Sequence, residues 1–260
     1  MNRIARHLLN VMMLSMVLLT TTSCVRNWEA VSFSDKDFVT EQRDLRDFEK
    51  IEIFGSPTVY FTQADSFSVK VKGPENLISD IITDTQGRTL SIRNRGKVGI
   101  INMSVGGDRL SVYVSSPDLI GISLFGSGDF ISERRIDTDK IDIALKGSGD
   151  IHLHDLICDD CHVELIGSGD VDIDRLETAT ASAVLIGSGD IDLREWNVQS
   201  TSLALKGSGD IDVSFEGNCG RVDCELQGSG DISLKGRIGH LSKQKRGSGD
   251  IDTAKLMVEK

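Results

Sequence analysis

The sequence predicts an all-β protein that folds as a parallel β-helix, a β-solenoid with about 20 residues in each coil. Three observations predict this fold: a tetrapeptide recurs at nearly constant spacing, apolar and polar residues alternate before each copy, and the alternation resumes after it. Alternation with a period of two indicates a strand with one buried face. A single unit cannot bury that face, but stacked units align their strands in parallel around one interior. We expect the coil to be right-handed.

The tetrapeptide Gly-Ser-Gly-Asp marks one corner of each coil. Its seven copies are spaced by 21, 20, 20, 20, 21 and 19 residues and begin at Gly126, Gly147, Gly167, Gly187, Gly207, Gly228 and Gly247. Glycine suits a sharp corner that stacks on itself, because it adopts positive φ and lets another backbone approach closely. A β-propeller blade needs about 40 residues, and helical repeats need a period of 3.6 that no stretch of this chain shows.

Apolar residues on both sides of each corner supply the predicted interior. Around the third corner they are Cys161, Val163 and Leu165 before the turn and Val171 and Ile173 after it. A third apolar position recurs five to seven residues after the Asp. We expect it to point inward from the remaining side of the coil at Ile136, Leu156, Leu176, Trp196, Phe215, Ile238 and Leu256.

The regular coils occupy residues 121–260, and residues 41–120 show the same pattern in degenerate form. Ile51 and Ile53, for example, lead into a corner at Gly55. We interpret this region as earlier rungs of the same stack, and a separate small β-domain is the alternative. Near the other end, Lys243 and Lys245 replace apolar residues in the last strand before a corner. Charges there discourage pairing between sheet ends, so the last coil is predicted to be a cap.

The first 23 residues predict an export signal. Arg3 and Arg6 precede an apolar stretch, residues 8–19, that is too short to span a bilayer comfortably. Cys24 then resembles the lipidated cysteine of a bacterial lipobox; an ordinary cleaved signal with a chance cysteine is the alternative. Residues 24–40 would form the lipidated cysteine and a polar tether that holds the protein in the cell envelope, on the outer membrane. Which side of that membrane it faces stays open.

Composition excludes two classes of protein. The chain has 29 Lys and Arg against 40 Asp and Glu, and its formal charge of −11 disfavours a partner gripped by its phosphates. We therefore expect no nucleic-acid partner. The only long apolar run lies at the N-terminus, so a membrane protein with several spans is excluded as well. The pattern does not set the oligomeric state.

The chain resembles a Bacteroidetes family described as "putative auto-transporter adhesin, head GIN domain". The resemblance rests on the block RDLRDFEKIEIFGSPTVYFTQADSFSVKVKGPENL, on the later block RLSVYVSSPDLIGISLFGSGDF, and on the serial Gly-Ser-Gly-Asp corners. It extends over residues 40–252. The resemblance implies an exported β-helix-like fold and a role in adhesion, and it supplies no catalytic residues.

The repeated aspartate is the main candidate for a functional site. Stacked coils would place one column, about 4.8 Å apart, at Asp129, Asp150, Asp170, Asp190, Asp210, Asp231 and Asp250. A second outward column would hold Asp172, Asp192, Asp212 and Asp252. Like charges at that spacing repel by about 0.9 kcal/mol per pair even in water. Either the corner N–H groups donate to each carboxylate, or Ca²⁺, the only cofactor that the pattern suggests, bridges successive carboxylates.

Histidines supply a weaker metal candidate. His152 and His154 are two residues apart on one predicted strand, so they project from the same face and can bind Zn²⁺. His162 is near them in sequence but belongs to the next strand. We favour a solvated surface here and expect no metal site.

The four cysteines after Cys24 form two local pairs, Cys158 with Cys161 and Cys219 with Cys224. A zinc ribbon is disfavoured because Cys158 and Cys219 fall in one column three coils, or about 14 Å, apart. A disulfide needs Cα atoms within about 7 Å, so this pair cannot close. Cys161 and Cys224 take inward positions and can serve as small apolar residues. Disulfides within each local pair stay open.

No pattern of catalytic residues emerges. The corner serine has seven equivalent copies without a matching column of histidine, and the chain has no GxSxG, P-loop or HExxH motif. We therefore predict a non-enzymatic adhesion or binding module, with a glycan or another surface polymer as its ligand. The alternatives are a purely structural envelope protein and a polysaccharide lyase or hydrolase, which would need one unique pair of carboxylates.

Overall fold

The computed structural model describes residues 38–95 and 110–259. The predicted signal peptide, Cys24 and most of the tether lie outside these residues. The described residues form 17 strands and one 3-10 turn at Ile78–Asp80. None of them belongs to a helix long and apolar enough to cross a membrane.

The first seven strands precede the regular coils. They are β1 (Phe38–Arg43), β2 (Lys50–Gly55), β3 (Thr58–Gln63), β4 (Ser68–Pro74), β5 (Ile81–Gln86), β6 (Thr89–Asn94) and β7 (Ser111–Ser116). The regular coils consist of β8 (Gly121–Gly126), β9 (Asp129–Asp137), β10 (Lys140–Gly147), β11 (Asp150–Gly167), β12 (Asp170–Gly187), β13 (Asp190–Trp196), β14 (Ser200–Gly207), β15 (Asp210–Gly228), β16 (Ile232–Gly247) and β17 (Ile251–Val258).

The regular coils stack in parallel, corner upon corner. Each corner glycine is in register with the corner glycine of the next coil, from Gly126 through to Gly247. The stack makes about 7 turns with roughly 20 residues in each coil, which confirms the predicted parallel β-solenoid. We call the strand segments that lead into the corners the pre-corner face, and those that follow the corners the post-corner face.

Both glycines of the corner are required by the stacking. Gly167 has a φ of +146°, and a Cβ there would lie 2.0 Å from the carbonyl oxygen of Gly147. At Gly169 a Cβ would lie 1.9 Å from the carbonyl oxygen of Gly149. Real atoms cannot approach so closely, so any side chain would force adjacent coils apart.

The interior is filled by side chains in register from coil to coil. Ile143, Val163 and Ala183 form part of one such row behind the pre-corner face, and Ile151 and Val171 begin another behind the post-corner face. All five are almost completely buried. One continuous apolar core therefore runs through the stack, as the period-two alternation predicts.

The third inward row first differs from its prediction at the coil of Trp196. Trp196 is 36% exposed, and Glu195 takes the inward position in register with Leu176 and Phe215. The reason is that β12 has one more residue than β13 between Ile173 and Leu176, so the register slips by one position. A one-residue slip turns each side chain to the opposite face.

The same row also differs in the following coils. Gly236 is in register with Phe215 and with Leu256. Ile238 lies two residues beyond Gly236 and is in register with Cys219 instead. Ile238 is buried nevertheless. At Ile238, fixed spacing from the corner therefore predicts the inward orientation but not the row that the residue joins.

The order of coils in space differs from their order in sequence at the N-terminal end. The coil of β2 and β3 pairs in parallel with β6 and β7 on one side and with β8 and β9 on the other. The chain thus adds a rung behind its first coil before it continues forward. Three strands in this region, β1, β4 and β5, pair antiparallel with their neighbours, which the sequence pattern does not predict.

Charged residues lie at the C-terminal end of the stack. Lys243 and Lys245 are in register with the inward-facing Cys224 and Leu226, but both lysines are exposed. Lys245 forms an ion pair with Asp250, with 3.2 Å between Nζ and Oδ1. The last segment of the pre-corner face therefore carries charge where every earlier regular coil carries apolar or small side chains.

Candidate functional site

The predicted column of aspartates exists. Asp129, Asp150, Asp170, Asp190 and Asp210 are paired in register along the post-corner face, and hydrogen bonds continue the column to Asp231 and Asp250. All except the half-buried Asp129 are exposed. We refer to these seven residues as the aspartate ladder.

From Asp150 to Asp250, each rung of the aspartate ladder is tied to the next by a hydrogen bond. The backbone N–H of Asp170 donates to Oδ1 of Asp150 at 3.2 Å, and the same bond recurs at 3.0, 3.0, 2.8 and 2.6 Å up to Asp250. Donation of an N–H to a carboxylate offsets the repulsion between neighbouring charges. This is the hydrogen-bonded arrangement that the sequence suggested as one of two interpretations.

Both ends of the aspartate ladder have additional partners. The hydroxyl of Thr58 donates to Oδ2 of Asp129 at 3.0 Å. At the other end, the hydrogen bond from Lys245 lowers the pKa of the Asp250 carboxyl. A threonine and a lysine thus terminate a column of carboxylates.

A second aspartate row runs beside the ladder on the same face. Asp172, Asp192 and Asp212 are in register, with His152 before them and Ser233 and Asp252 after them. Burial, more than neighbouring charge, raises the pKa of the Asp172 and Asp192 carboxyls. These side chains line a shallow groove of about 170 Å³ that also includes Arg194 and Lys235.

The histidines do not assemble a metal site in the structure. Asp174 lies between His152 and His154, with 3.6 Å to Nε2 of the first and 3.1 Å to Nδ1 of the second. His162 lies on the pre-corner face, where Nδ1 is 3.1 Å from the hydroxyl of Ser182. Within residues 38–95 and 110–259, no group of three or more His, Cys, Asp or Glu side chains has the arrangement of a metal site.

Cys158, Cys161, Cys219 and Cys224 are all buried, unpaired thiols. A hydrogen bond between the thiols of Cys158 and Cys161 lowers the pKa of Cys158 and raises the pKa of Cys161. Burial raises the pKa of Cys224 to about 12. In the described part of the chain, these thiols lie in the apolar core.

Glu195 is the buried titratable group that sequence reasoning missed. Its side chain is fully buried, Thr201 donates to Oε2 at 2.5 Å, and Oε1 has no hydrogen-bond partner among the described residues. Burial raises the pKa of this carboxyl from 4.5 to about 7. Only the register slip in β13 reveals that Glu195, and not Trp196, faces the interior.

Exposed aromatic pairs are a second feature that sequence reasoning missed. Phe54 and Phe125 stack with ring centroids 5.0 Å apart on the pre-corner face, and Tyr60 stacks on Tyr113 at 5.1 Å on the post-corner face. Phe54 and Tyr113 are 38% and 41% exposed. A signal was present in the sequence, because Phe54 and Phe125 both directly precede a corner glycine.

An open cleft of about 320 Å³ lies beside Phe54. It is lined by Glu52, Phe54, Gln86, Thr89 and Ser91 from β2, β5 and β6. A ring next to carboxylate, amide and hydroxyl groups can contact an apolar surface and bind polar groups at the same time.

These features define the class of protein: a parallel β-solenoid with regularly repeated polar faces. Residues 47–217 match the sequence model of the family described as "Putative auto-transporter adhesin, head GIN domain", and the chain belongs to this family. The family's description concerns adhesion rather than catalysis, and it is consistent with a place in the cell envelope or at the cell surface. No curated protein sequence matches the chain.

Solved structures of similar proteins share the fold. A putative adhesin from Bacteroides fragilis NCTC 9343 is 26% identical, with a TM-score of 0.72 over 83% of this chain and 96% of that one. A putative adhesin from Parabacteroides merdae ATCC 43184 is 17% identical, with a TM-score of 0.62 over 84% of this chain and 98% of that one. A putative lipid binding protein from Parabacteroides distasonis ATCC 8503 is 21% identical, with a TM-score of 0.61 over 84% and 98%. The last two likenesses concern the fold alone.

Proposed function

We propose that this protein is a non-catalytic adhesion module that is anchored in the cell envelope and binds a repetitive polymer, such as a glycan, through the outward faces of its solenoid. The single observation that carries the proposal is the register of the corners from coil to coil. This register repeats outward side chains about every 4.8 Å along the stack. A polymer with repeated units can then make many weak contacts at once, and their affinities combine.

Charge and surface chemistry favour a neutral polymer. The formal charge is −11, and the aspartate ladder concentrates carboxylates on the post-corner face, so an anionic polymer would be repelled. In Asp170, Asp190 and Asp210, Oδ1 accepts a backbone N–H, whereas Oδ2 has no described partner. Those free oxygens can accept hydrogen bonds from ligand hydroxyl groups.

The anchor proposed for this module is a lipidated Cys24. Acyl chains contribute about 0.8 kcal/mol for each buried methylene, so lipidation holds a protein on a membrane without a spanning helix. Growth with a clickable fatty acid is expected to label the wild-type protein but not a Cys24→Ala variant. Equal labelling of both would contradict the anchor.

A glycan array tests the proposed ligand class. The mature chain, displayed at high density, is expected to bind at least one neutral polysaccharide above the background set by heat-denatured protein. No binding across bacterial and host polysaccharides would contradict the adhesion proposal and favour a purely structural role. Release of shortened products from the bound polymer would instead favour a lyase or hydrolase.

Exposure at the cell surface is tested separately. Protease treatment of intact cells is expected to digest the protein while a periplasmic marker survives. Survival of both would contradict a role in adhesion to anything outside the cell.

A further inference from the structure

We propose that the cleft beside Phe54 is a saccharide subsite that takes one uncharged sugar ring of the polymer. Phe54 would be its platform, and Glu52, Gln86, Thr89 and Ser91 its hydrogen-bonding rim. This inference rests on the proposed function and deepens it, because it assigns a definite site and ligand chemistry on a surface that otherwise only repeats.

The platform is fixed before a ligand arrives. The rings of Phe54 and Phe125 lie 5.0 Å apart with an angle of 11° between their planes, so one ring supports the other. Phe54 is nevertheless 38% exposed and borders the cleft. A ring that is already held in place loses little side-chain freedom on binding. Its electron-rich face attracts the weakly positive C–H groups of a sugar ring.

Three of the four polar side chains of the rim have no partner among the described residues. The side chains of Glu52, Gln86 and Thr89 make no hydrogen bond or ion pair with any described residue. Ser91 is in register with Glu52 and accepts a 3.4 Å hydrogen bond from Arg93. One carboxylate, one amide and two hydroxyl groups can both donate to and accept from the hydroxyl groups of a sugar.

Size and charge restrict the ligand. A volume of about 320 Å³ is at the lower end of the range for small-ligand sites, so it fits a sugar ring and not a folded partner. The nearby Arg93 is paired with Asp84, and Glu52 is the one charged side chain among the described residues that line the cleft. An anionic sugar or a phosphate group would therefore be repelled.

The surface next to the cleft allows a polymer to continue. Phe125 is in register with Lys146, and the same row proceeds through Ile166, Ile186 and Lys206 along the pre-corner face. Ile186 is 38% exposed. A polymer that places one sugar on Phe54 can continue along this row.

Binding of the mature chain to immobilised polysaccharides tests the subsite. The neutral probes are laminarin, xylan, mannan and dextran, and the anionic probes are alginate and pectate. We expect Phe54→Ala to weaken the binding of a neutral probe by tenfold or more, and Glu52→Gln to weaken it by a smaller factor. Phe54→Tyr keeps the ring and is expected to retain most of the affinity.

Tyr113→Ala is the matched control, because it removes an equally exposed stacked ring from the post-corner face. We expect it to leave binding within twofold of wild type. Far-UV circular dichroism and a thermal melt confirm that each variant is folded. If wild type binds and Phe54→Ala binds equally well, or if only the anionic probes bind, the subsite is wrong while the adhesion proposal survives. If wild type binds no probe and no array glycan, both are wrong.

Discussion

The corner glycines show how one residue type determines whether coils can stack. The second glycine of each corner has no positive φ to explain its presence, yet at Gly169 the Gly149 carbonyl oxygen occupies the space that a Cβ would need. The requirement thus comes from the neighbouring coil and not from local backbone conformation.

Gly169→Ala is therefore expected to lower the free energy of unfolding by about 3 kcal/mol or more, because adjacent coils must separate to accept the methyl group. Gly239→Ala is the matched control, since a Cβ there would lie 3.4 Å from the nearest atom, an ordinary contact distance. Urea denaturation of both variants measures the difference. Equal midpoints for Gly169→Ala and Gly239→Ala would contradict the stacking requirement.

Glu195 gives the core a dependence on pH. Its pKa in the folded chain is about 7, above the ordinary value of 4.5, because burial favours the neutral carboxyl. The hydrogen bond from Thr201 acts against burial and lowers the pKa of Glu195. The nearby thiols of Cys161, Cys219 and Cys224 have raised pKa values, so they stay neutral in this range. The neutral carboxyl contributes full stability below pH 4.5, and that contribution, at most about 3 kcal/mol, is lost as the pH rises through about 7.

We expect the melting temperature of wild type to fall between pH 5 and pH 8, and Glu195→Leu to remove most of that fall. Leucine is chosen because Leu176 occupies the same row in the adjacent coil. Glu225→Gln, which removes an exposed carboxylate, controls for the change in net charge. The same slope in wild type and Glu195→Leu would show that Glu195 does not titrate in this range.

At the scale of the element, hydrogen bonds along the aspartate ladder offset the repulsion between neighbouring carboxylates. Asp190 accepts the N–H of Asp210 through Oδ1 while its own N–H donates to Asp170. Through its N–H and its carboxylate together, each aspartate from Asp170 to Asp231 therefore connects three coils of the post-corner face. The ladder contributes to stability whatever ligand the face binds.

Asp190→Ala is expected to lower the free energy of unfolding by about 1 kcal/mol, because the N–H of Asp210 loses its acceptor. Asp190→Asn keeps an acceptor oxygen and removes one of the like charges, so it should be no less stable than wild type. Chemical denaturation distinguishes the two variants. Equal losses in both would mean that the negative charge itself, and not the hydrogen bond, matters at this position.

The same element tests the calcium hypothesis. Because each Oδ1 already accepts an N–H, a bridging Ca²⁺ would bind mainly through the outer oxygens. A melting temperature that is the same in millimolar Ca²⁺ and in EDTA would end the hypothesis, and a higher one in Ca²⁺ that Asp190→Asn reduces would support it.

At the scale of the whole molecule, the open end of a parallel stack is a surface that could add another chain. Lys243 and Lys245 lie where the preceding coil has Cys224 and Leu226, so they place charge across the end of an apolar row. This explains why the regular pattern changes only in the last coil of the pre-corner face.

The double variant Lys243→Leu and Lys245→Leu is expected to associate as its concentration rises, which light scattering after size-exclusion chromatography measures. The control is Lys146→Leu with Lys206→Leu, which removes the same charge from outward positions within the stack. An unchanged mass for the first variant, or an equal increase for both, would contradict a capping role.

Local pattern was sufficient to predict the repeating part of the molecule. The period of two and the 19 to 21 residues between corners specify which residues face inward and which coils are neighbours, and the aspartate ladder follows from that register. The prediction failed at Trp196 because a one-residue difference between β12 and β13 lies outside the corners, where no motif marks the register.

The candidate cleft could not be predicted in the same way. Glu52 and Ser91 become neighbours because β6 pairs with β2, on the side of the first coil that faces away from β8. That pairing brings together strands without a shared corner motif, and the antiparallel strand β5 supplies Gln86.

The amino-acid order alone established a parallel β-solenoid, its roughly 20-residue coil and the two outward aspartate rows, because every neighbouring coil repeats the same short-range pattern. Tertiary folding decided the spatial order of the N-terminal rungs, the burial of Glu195 and the placement of Phe54 beside a polar cleft. These depend on contacts between segments whose sequences do not repeat, so only the balance of packing across the whole chain selects them.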